Sequence, residues 1–235
     1  MSKSKEHDIL EYNENGYIII LSDHALVTMV LAALEAYAVR KLGKIVHQKQ
    51  LEVYGSLYGQ EIPLKDGRTL YRVELASHDT TSRQTHDAVH FNDDASVLKR
   101  DTLASFWPHL DYLGDFHSHP YESLEETKSC RGYFCSDGDR EELEDNWDFW
   151  KELRYRLGLV VTVAPLQRAR QKEDLWEKGT KKQCLVMTLG NFRIWISAYC
   201  AYEEEDEDGD IVPSYTQDSD TLVELYAPSV TGLEE

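Results

Sequence analysis

Positive charge is scarce in this chain. Its 235 residues include 25 lysines and arginines against 43 aspartates and glutamates, which gives a formal net charge of −18 and a pI near 4.9. Proteins that bind a phosphate backbone draw their affinity from clustered lysine and arginine side chains. We therefore do not expect nucleic acid among the partners of this protein.

Cysteine is also scarce, and the chain has four: Cys130, Cys135, Cys184 and Cys200. That is few for a secreted fold held by disulfides, and a chain of this length can bury a core without them. We expect reduced thiols. Cys130 and Cys135 are close enough in sequence to form a bridge or a thiolate site, but no second ligand pair flanks them, which favours two unpaired thiols.

Long apolar runs are absent as well. Residues 1–16 contain no apolar stretch of signal-peptide length, and no later run approaches the length of a membrane span. These features predict a soluble, cytoplasmic protein with no membrane partner. The length fits one domain with elaborations, and no internal repeat is present.

Short apolar runs alternate with segments of helical periodicity along the chain. The runs predict strands, and apolar residues that recur every three or four positions predict helices. Strands are predicted at residues 17–21, 51–58, 70–76, 112–119, 159–166, 183–189 and 193–198, and helices at 26–42, 95–107 and 141–157. This order predicts an α/β (α+β) fold in which helices flank a curved mixed β-sheet.

Two histidines stand two residues apart in the segment Asp115-Phe116-His117-Ser118-His119-Pro120. In a strand, side chains two apart point to the same face, so His117 and His119 would present two imidazoles in one direction. Pro120 has no N–H for the ladder, which places the pair at a strand end. Ser118 would point to the opposite face and is expected to be structural.

A carboxylate is available at the start of the next predicted helix. Ser136-x-x-Asp139 has the spacing of a capping box, and the same box that fixes the helix start would aim Asp139 at the histidines. Two histidines and one aspartate, with a free position for water, form the ligand set of a catalytic rather than a closed structural zinc site. The sequence therefore predicts Zn²⁺ bound by His117, His119 and Asp139.

These segments resemble the signature of the JAMM (MPN+) zinc metalloproteases, which include deubiquitinating isopeptidases. The likeness rests on His117-Ser118-His119-Pro120, on Ser136-x-x-Asp139, and on the upstream run Glu52-x-x-Gly55-x-Leu57-x-Gly59, all in the family's order. It covers about residues 17–165. The spacing departs from the family's, because residues 121–135 make a longer insert between the proline and the serine.

The resemblance implies a cytidine-deaminase-like JAMM/MPN architecture and a role for each matching residue. Glu52 would be the general base that takes a proton from water and returns it to the leaving amine, and Ser136 would donate a hydrogen bond to the oxyanion. The implied substrate is the peptide or isopeptide bond at the C-terminus of a ubiquitin-like or sulfur-carrier-like protein. Activating (E1-like) and conjugating (E2-like) enzymes would be further partners.

Other residues offer the same chemistry less well. Glu61 and Glu74 are fallback candidates for the base, but they lack the glycine context of Glu52. His86 and His90 are four apart, but the segment has strand character, and the helical zinc-protease signature needs glutamate where Asp87 stands.

The chain divides into an N-terminal segment (1–16), a JAMM-like catalytic domain (17–200) and an acidic C-terminal extension (201–235). The insert at 121–135 is expected to be a lid or a substrate-selecting element, and the acidic run at 203–210 a solvated loop. Two other function classes stay open: a non-catalytic scaffold of the same fold, and a metal-dependent hydrolase of a small molecule.

Overall fold

The computed structural model describes residues 12–39, 50–86, 88–168, 175–206, 208–216 and 222–232. The strands are β1 (Tyr17–Leu21), β2 (Tyr54–Pro63), β3 (Thr69–His78), β4 (Arg83–Gln84), β5 (Val89–His90), β6 (Asp111–Pro120), β7 (Leu157–Pro165), β8 (Cys184–Leu189), β9 (Phe192–Glu205), β10 (Ile211–Tyr215) and β11 (Val223–Tyr226). The helices are α1 (Asp23–Ala38), α2 (Asp93–Phe106), α3 (Leu124–Ser129), α4 (Asp137–Asp145), α5 (Trp147–Leu153) and α6 (Pro228–Thr231).

Within the described ranges, nine strands form one large, curved, nearly closed mixed sheet in the order β10-β9-β7-β6-β2-β3-β1-β11, with β8 also paired to β9. β1 runs parallel to both of its neighbours, and β6 runs parallel to β7. The remaining pairs in this sheet are antiparallel. The predicted mixed α/β fold with a curved sheet and flanking helices is therefore confirmed at this level.

The two faces of the sheet carry separate cores. Along β7, Leu157, Leu159 and Val161 face a core that includes the buried side of α1, whereas Val160 faces a second core with the tryptophans of α5. This alternation follows from the two-residue period of a strand. Because β7 is buried on both faces, it lies at the centre of the fold, beside the strand that carries the histidine pair.

Helix α1 begins at Asp23, three residues before the predicted start at residue 26. The Ser22 side chain accepts a hydrogen bond from the backbone N–H of Ala25 and caps the first turn. The helix ends at Ala38, earlier than the predicted end at residue 42. Residues 40–49 lie outside the described part of the chain.

The helix predicted over residues 141–157 is two helices, and the prediction of its end was wrong. Asn146 leaves the helical conformation (φ −113°, ψ 21°) and separates α4 from α5. Arg154 then adopts a left-handed conformation (φ 62°) that ends α5, so Leu157 begins β7 instead of completing the helix. The buried face predicted for this run is present, with Trp150 fully buried.

The strand predicted to carry Glu52 begins later than expected, at Tyr54, so that prediction was wrong. The backbone N–H groups of residues 51, 52 and 53 donate to three separate elements: α1, the turn after β4, and β6. A continuous ladder needs one partner strand, and these residues have three partners. Glu52 therefore lies in an anchored connection that leads into β2.

β2 and β3 form an antiparallel hairpin, joined by a turn around Asp66. A side chain at Gly59 would place its Cβ 1.9 Å from the carbonyl oxygen of Arg72 on β3. Glycine at this position therefore allows the close approach of the neighbouring backbone.

The prediction of a solvated loop at 203–210 was wrong for residues 203–205, whereas residues 206 and 208–210 are exposed and lie outside the strands. β9 continues through Glu205 and pairs with β10, and the Glu203 side chain is buried. Lys151 donates to Glu203 at 2.7 Å, which offsets the cost of burying the carboxylate. β11 pairs with β1, so described residues of the 201–235 segment contribute strands to the main sheet.

Among the helices of the described residues, none combines the length and the apolar character that a membrane crossing requires.

Candidate metal centre

The two histidines lie where the strand pattern places them, on one face of β6 near its end. Both are buried, with His117 and His119 each about 7% exposed, and their Nε2 atoms are 3.2 Å apart. Ser118 faces the other side of the strand, where its hydroxyl accepts a hydrogen bond from the backbone N–H of Val53. The predicted orientation of all three side chains is confirmed.

Asp139 reaches the histidines from the first turn of α4. The predicted capping box is present: the Ser136 side chain accepts from the N–H of Asp139, and the Asp139 carboxylate accepts from the N–H of Ser136 at 2.6 Å. The same carboxylate lies 3.2 Å from His117 Nε2 and 3.3 Å from His119 Nε2. The box thus fixes both the helix start and the direction of Asp139.

The chemistry of these three side chains suits a metal ion. Their ligand atoms all lie within 4.8 Å of one another, and among the described residues they are the one such group of histidine, cysteine and acidic side chains. Two neutral imidazoles and one carboxylate leave one position of a tetrahedral site open, as catalytic zinc sites do. His117, His119 and Asp139 are therefore the residues that would hold the metal.

The tautomer of His119 is set by the insert at 121–135. Its Nδ1 lies 3.1 Å from the carbonyl oxygen of Gly132, which can only accept, so Nδ1 carries the proton and Nε2 is left for a metal. The Thr162 hydroxyl on β7 donates to the same carbonyl at 3.0 Å. Carbonyl and hydroxyl together hold the imidazole in its ligating orientation.

The insert is a folded element. It contains α3, and Tyr133 and Phe134 near its end are buried against Trp195 of β9. Two adjacent aromatic side chains thus anchor the segment to the sheet, and its role as a lid or substrate-selecting element stays a prediction. The carbonyl oxygen of Gly132, within the insert, contacts His119 at the candidate metal centre.

Thr162→Val is expected to weaken zinc binding by about tenfold, since it removes a donor that orients the Gly132 carbonyl while keeping the side-chain shape. Titration against a chromophoric chelator measures the change. Thr127→Val is the matched control, because its buried hydroxyl donates to Ser123 and not to Gly132. An equal loss in both variants would contradict the role given to Thr162.

The electrostatics of the site favour a positive charge between the three side chains. Burial alone would lower the pKa of His117, but the Asp139 carboxylate outweighs burial and raises this pKa to about 9. Burial would raise the pKa of Asp139, yet the two histidines hold it well below its usual range. A proton and a metal ion therefore compete for the same position, and metal binding would release that proton.

Sequence reasoning missed a group of buried polar residues beneath the histidines. Burial raises the pKa of Asp115 to about 6, and its carboxylate accepts a hydrogen bond from Tyr155 at 3.0 Å. The Tyr155 hydroxyl is also 3.0 Å from that of Tyr199. Burial raises the pKa of Glu142, one turn after Asp139, to about 8. Asp115 could have been predicted from the sequence, because the two-residue period of the strand places it on the same face as His117 and His119.

Glu52 lines the same cleft as the three candidate ligands and Ser136. The cleft has a volume of about 250 Å³, and its lining includes Val89 of β5 and Phe91, which follows that strand. The structure thus brings all five predicted site residues to one cavity. The Ser136 hydroxyl donates to Asp139 at 2.7 Å, so the hydroxyl proton points toward this candidate metal ligand.

The rejected candidates do not belong to the cluster of three possible ligands, although His90 lines the same cleft. Nδ1 of His86 lies 2.9 Å from the carbonyl oxygen of Gln50, and His90 is an exposed residue of β5 at the rim of the cleft. Glu61 lies 3.4 Å from Arg156, on β2 beyond the cleft lining.

Neither a scan of the chain against protein-family models nor a search of curated proteins finds a match. The assignment of a function therefore rests on the geometry of the site and on the motif that the sequence carries.

Proposed function

We propose that this protein is a zinc-dependent peptidase of the JAMM type that cleaves a bond at the C-terminus of a ubiquitin-like or sulfur-carrier-like protein. One observation carries the proposal: residues from three distant segments, Glu52, the His117–His119 pair and Asp139, line one cleft. An arrangement in which two imidazoles, a partly buried carboxylate and a second carboxylate converge is suited to metal-assisted hydrolysis.

Each side chain would have a distinct role. Zn²⁺ held by His117, His119 and Asp139 would act as a Lewis acid, which polarises a carbonyl and makes water more acidic. Glu52 would accept the proton of the attacking water and deliver it to the departing amine. Ser136 would donate to the developing oxyanion, for which its hydroxyl must turn from Asp139.

The rim of the cleft suits an extended substrate. β5 belongs to a separate two-stranded sheet, and its residues line the cavity beside the histidines. A peptide that pairs with such an edge gains backbone hydrogen bonds and is held in the extended form that a narrow cleft requires. This supports a flexible protein C-terminus as the substrate, with E1-like and E2-like enzymes as partners of the same pathway.

Elemental analysis and a cleavage assay test the proposal together. We expect one zinc per chain, and hydrolysis of ubiquitin fused to a C-terminal reporter peptide that stops on chelation and returns with added zinc. A zinc-loaded protein that is inert on every protein substrate would favour a small-molecule hydrolase. A protein that binds no zinc would favour a scaffold.

Ser118→Ala is expected to lower the rate of hydrolysis by about tenfold or more while zinc content stays unchanged. Ser118 and Val53 exchange two hydrogen bonds, at 2.9 and 3.0 Å, which fix the connection that carries Glu52. Ser118→Thr retains the hydroxyl and should restore most of the rate. Loss of zinc from Ser118→Ala, or no recovery with threonine, would contradict this positioning role.

A further inference from the structure

Buried polar side chains line the metal cleft beside the candidate ligands. Asp115 lies two residues before the histidine pair on β6, and Glu142 lies one turn after Asp139 in α4. Both carboxyl groups line the cleft together with the buried residues Tyr54 and Tyr155. We refer to Asp115, Glu142, Tyr54 and Tyr155 as the acidic chamber.

Negative charge predominates in the cleft. Its described lining residues include four carboxyl groups, those of Glu52, Asp115, Asp139 and Glu142, and no lysine or arginine. Of its three histidines, two are candidate ligands and the third, His90, is exposed. A divalent metal would balance two of the four carboxylates when all are ionised, so the cleft favours a further cation.

Neutral groups donate hydrogen bonds to the two carboxylates of the chamber. The Tyr155 hydroxyl donates to Asp115 at 3.0 Å, and the side-chain amide of Asn146 donates to Glu142 at 3.3 Å. Neither carboxylate forms an ion pair with a lysine or arginine of the described residues. Burial raises the pKa of both groups, and a cation between them would lower it by favouring their ionised forms.

The Tyr54 hydroxyl offers a third acceptor to the same ligand. It is buried and lies near Asp115, but it makes no hydrogen bond of regular geometry to any described residue. A buried polar atom without a partner is costly unless a ligand supplies one. A hydroxyl can accept from a cation and donate to a carboxylate at the same time.

The arrangement of these acceptors favours a guanidinium over an ammonium group. Asp115 and Glu142 approach from a strand and a helix, and Tyr54 provides another oxygen. Arginine carries five N–H donors in one plane and keeps its charge when buried, whereas a buried lysine readily loses its proton. A metal-bound water fills about 30 Å³. The cleft of about 250 Å³ therefore leaves room for such a side chain.

The position of the acidic chamber indicates which substrate residue enters it. The chamber adjoins the candidate ligands, and the ring of Tyr54 lies 5.5 Å from that of Phe91, which follows β5. A tail that pairs with β5 would pass over the chamber just before its cleaved carbonyl reaches the metal. The side chain of that last residue is therefore the one within reach.

We infer that the acidic chamber binds an arginine side chain of the substrate, at the residue that contributes the cleaved carbonyl. The inference rests on the proposed function and narrows it to protein tails that carry arginine immediately before the cleaved bond. A tail that ends in glycine would leave the chamber to water.

Three ubiquitin reporter fusions test this selectivity, with arginine, citrulline or glycine as the last residue before the reporter. Citrulline has the shape of arginine without its charge. We expect kcat/KM to be at least about tenfold higher for the arginine form than for the citrulline form, because charge-assisted hydrogen bonds are lost in the latter. Glu142→Gln should narrow this ratio. Glu141→Gln, at the exposed neighbouring residue of α4, is the control and should leave the ratio unchanged.

A binding experiment tests the acidic chamber without catalysis. In zinc-loaded wild-type protein with ¹³C-labelled tyrosine, butylguanidinium should shift the ring signals of Tyr54, and neutral butylurea should not. The signals are assigned by their loss in Tyr54→Phe. Glu142→Gln should weaken the binding of butylguanidinium by about tenfold, and Glu141→Gln should leave it unchanged.

Several results would overturn the inference: an arginine-to-citrulline ratio near one in the wild type, cleavage of the glycine form alone, an unchanged ratio in Glu142→Gln, or no shift specific to butylguanidinium. If the wild type cleaves none of the three fusions, the proposed function fails, and the role of the acidic chamber is then decided by the titration alone.

Discussion

Glu52→Gln is expected to lower kcat for hydrolysis by about 10²–10⁴-fold while the protein keeps its zinc. Glutamine has nearly the same shape but cannot accept the proton of the attacking water. Glu52 lines the cleft and is not one of the three clustered candidate ligands, so its loss should leave the metal in place. Steady-state kinetics on the ubiquitin fusion, with elemental analysis of the same sample, measures both effects.

Glu61→Gln is the matched control for this variant. Glu61 is the alternative base that sequence reasoning leaves open, and it lies on β2 next to Arg156 rather than in the cleft lining. Its substitution should leave kcat within about twofold, as expected for a residue outside the site. A larger loss of kcat for Glu61→Gln than for Glu52→Gln would contradict the assignment of Glu52 as the base.

Asp139→Asn is expected to reduce zinc affinity by more than the roughly 10–100-fold that loss of an outer residue typically costs. The substitution removes the charge that attracts the metal and leaves two imidazole ligands. Asparagine keeps an oxygen that can accept from the Ser136 N–H, so the start of α4 should persist. Competition titration with a chelator gives the affinity, and circular dichroism checks that the helix is intact.

Asp137→Asn provides a control two residues away in the same turn. The Asp137 side chain is 95% exposed, whereas the Asp139 side chain is 21% exposed and lies against both histidines. Removal of the charge at Asp137 should change zinc affinity by less than about twofold, since exposed charges act weakly. Equal losses of zinc affinity in Asp137→Asn and Asp139→Asn would contradict the role of Asp139 as a ligand. They would show that any negative charge at the start of α4 attracts the metal.

Local patterns in the sequence were sufficient to predict that His117, His119 and Asp139 lie together. The strand period places His117 and His119 on one face, and the capping box fixes the direction of Asp139 through hydrogen bonds within four residues. Both are short-range effects. The mixed sheet could be predicted for a similar reason, because apolar runs and turn residues mark strands locally.

Long-range contacts decide the features that the sequence did not reveal. The backbone around Glu52 is fixed by partners in α1, the turn after β4, and β6, so no local pattern shows that β2 begins after it. The insert is ordered because Tyr133 and Phe134 pack on Trp195, about sixty residues later. Arg154 ends α5 in a left-handed conformation, and the presence of an arginine does not predict this conformation.

The contacts around the candidate metal centre are also long-range. The carbonyl of Gly132 fixes the tautomer of His119 and is itself held by Thr162 of β7, a connection that exists only after the insert packs against the sheet. Arg140 of α4 likewise lies over the ring of Tyr215 of β10. Such arrangements join residues that are far apart in sequence, and periodicity carries no information on them.

The most direct test of the account is an anomalous difference map collected at the zinc absorption edge from crystals of the purified protein. The account predicts one strong peak, about 2.0–2.2 Å from Nε2 of His117, Nε2 of His119 and a carboxylate oxygen of Asp139. A peak coordinated by Cys130, Cys135 or the histidines of the β4–β5 hairpin, or no peak at the three predicted ligands, would contradict it.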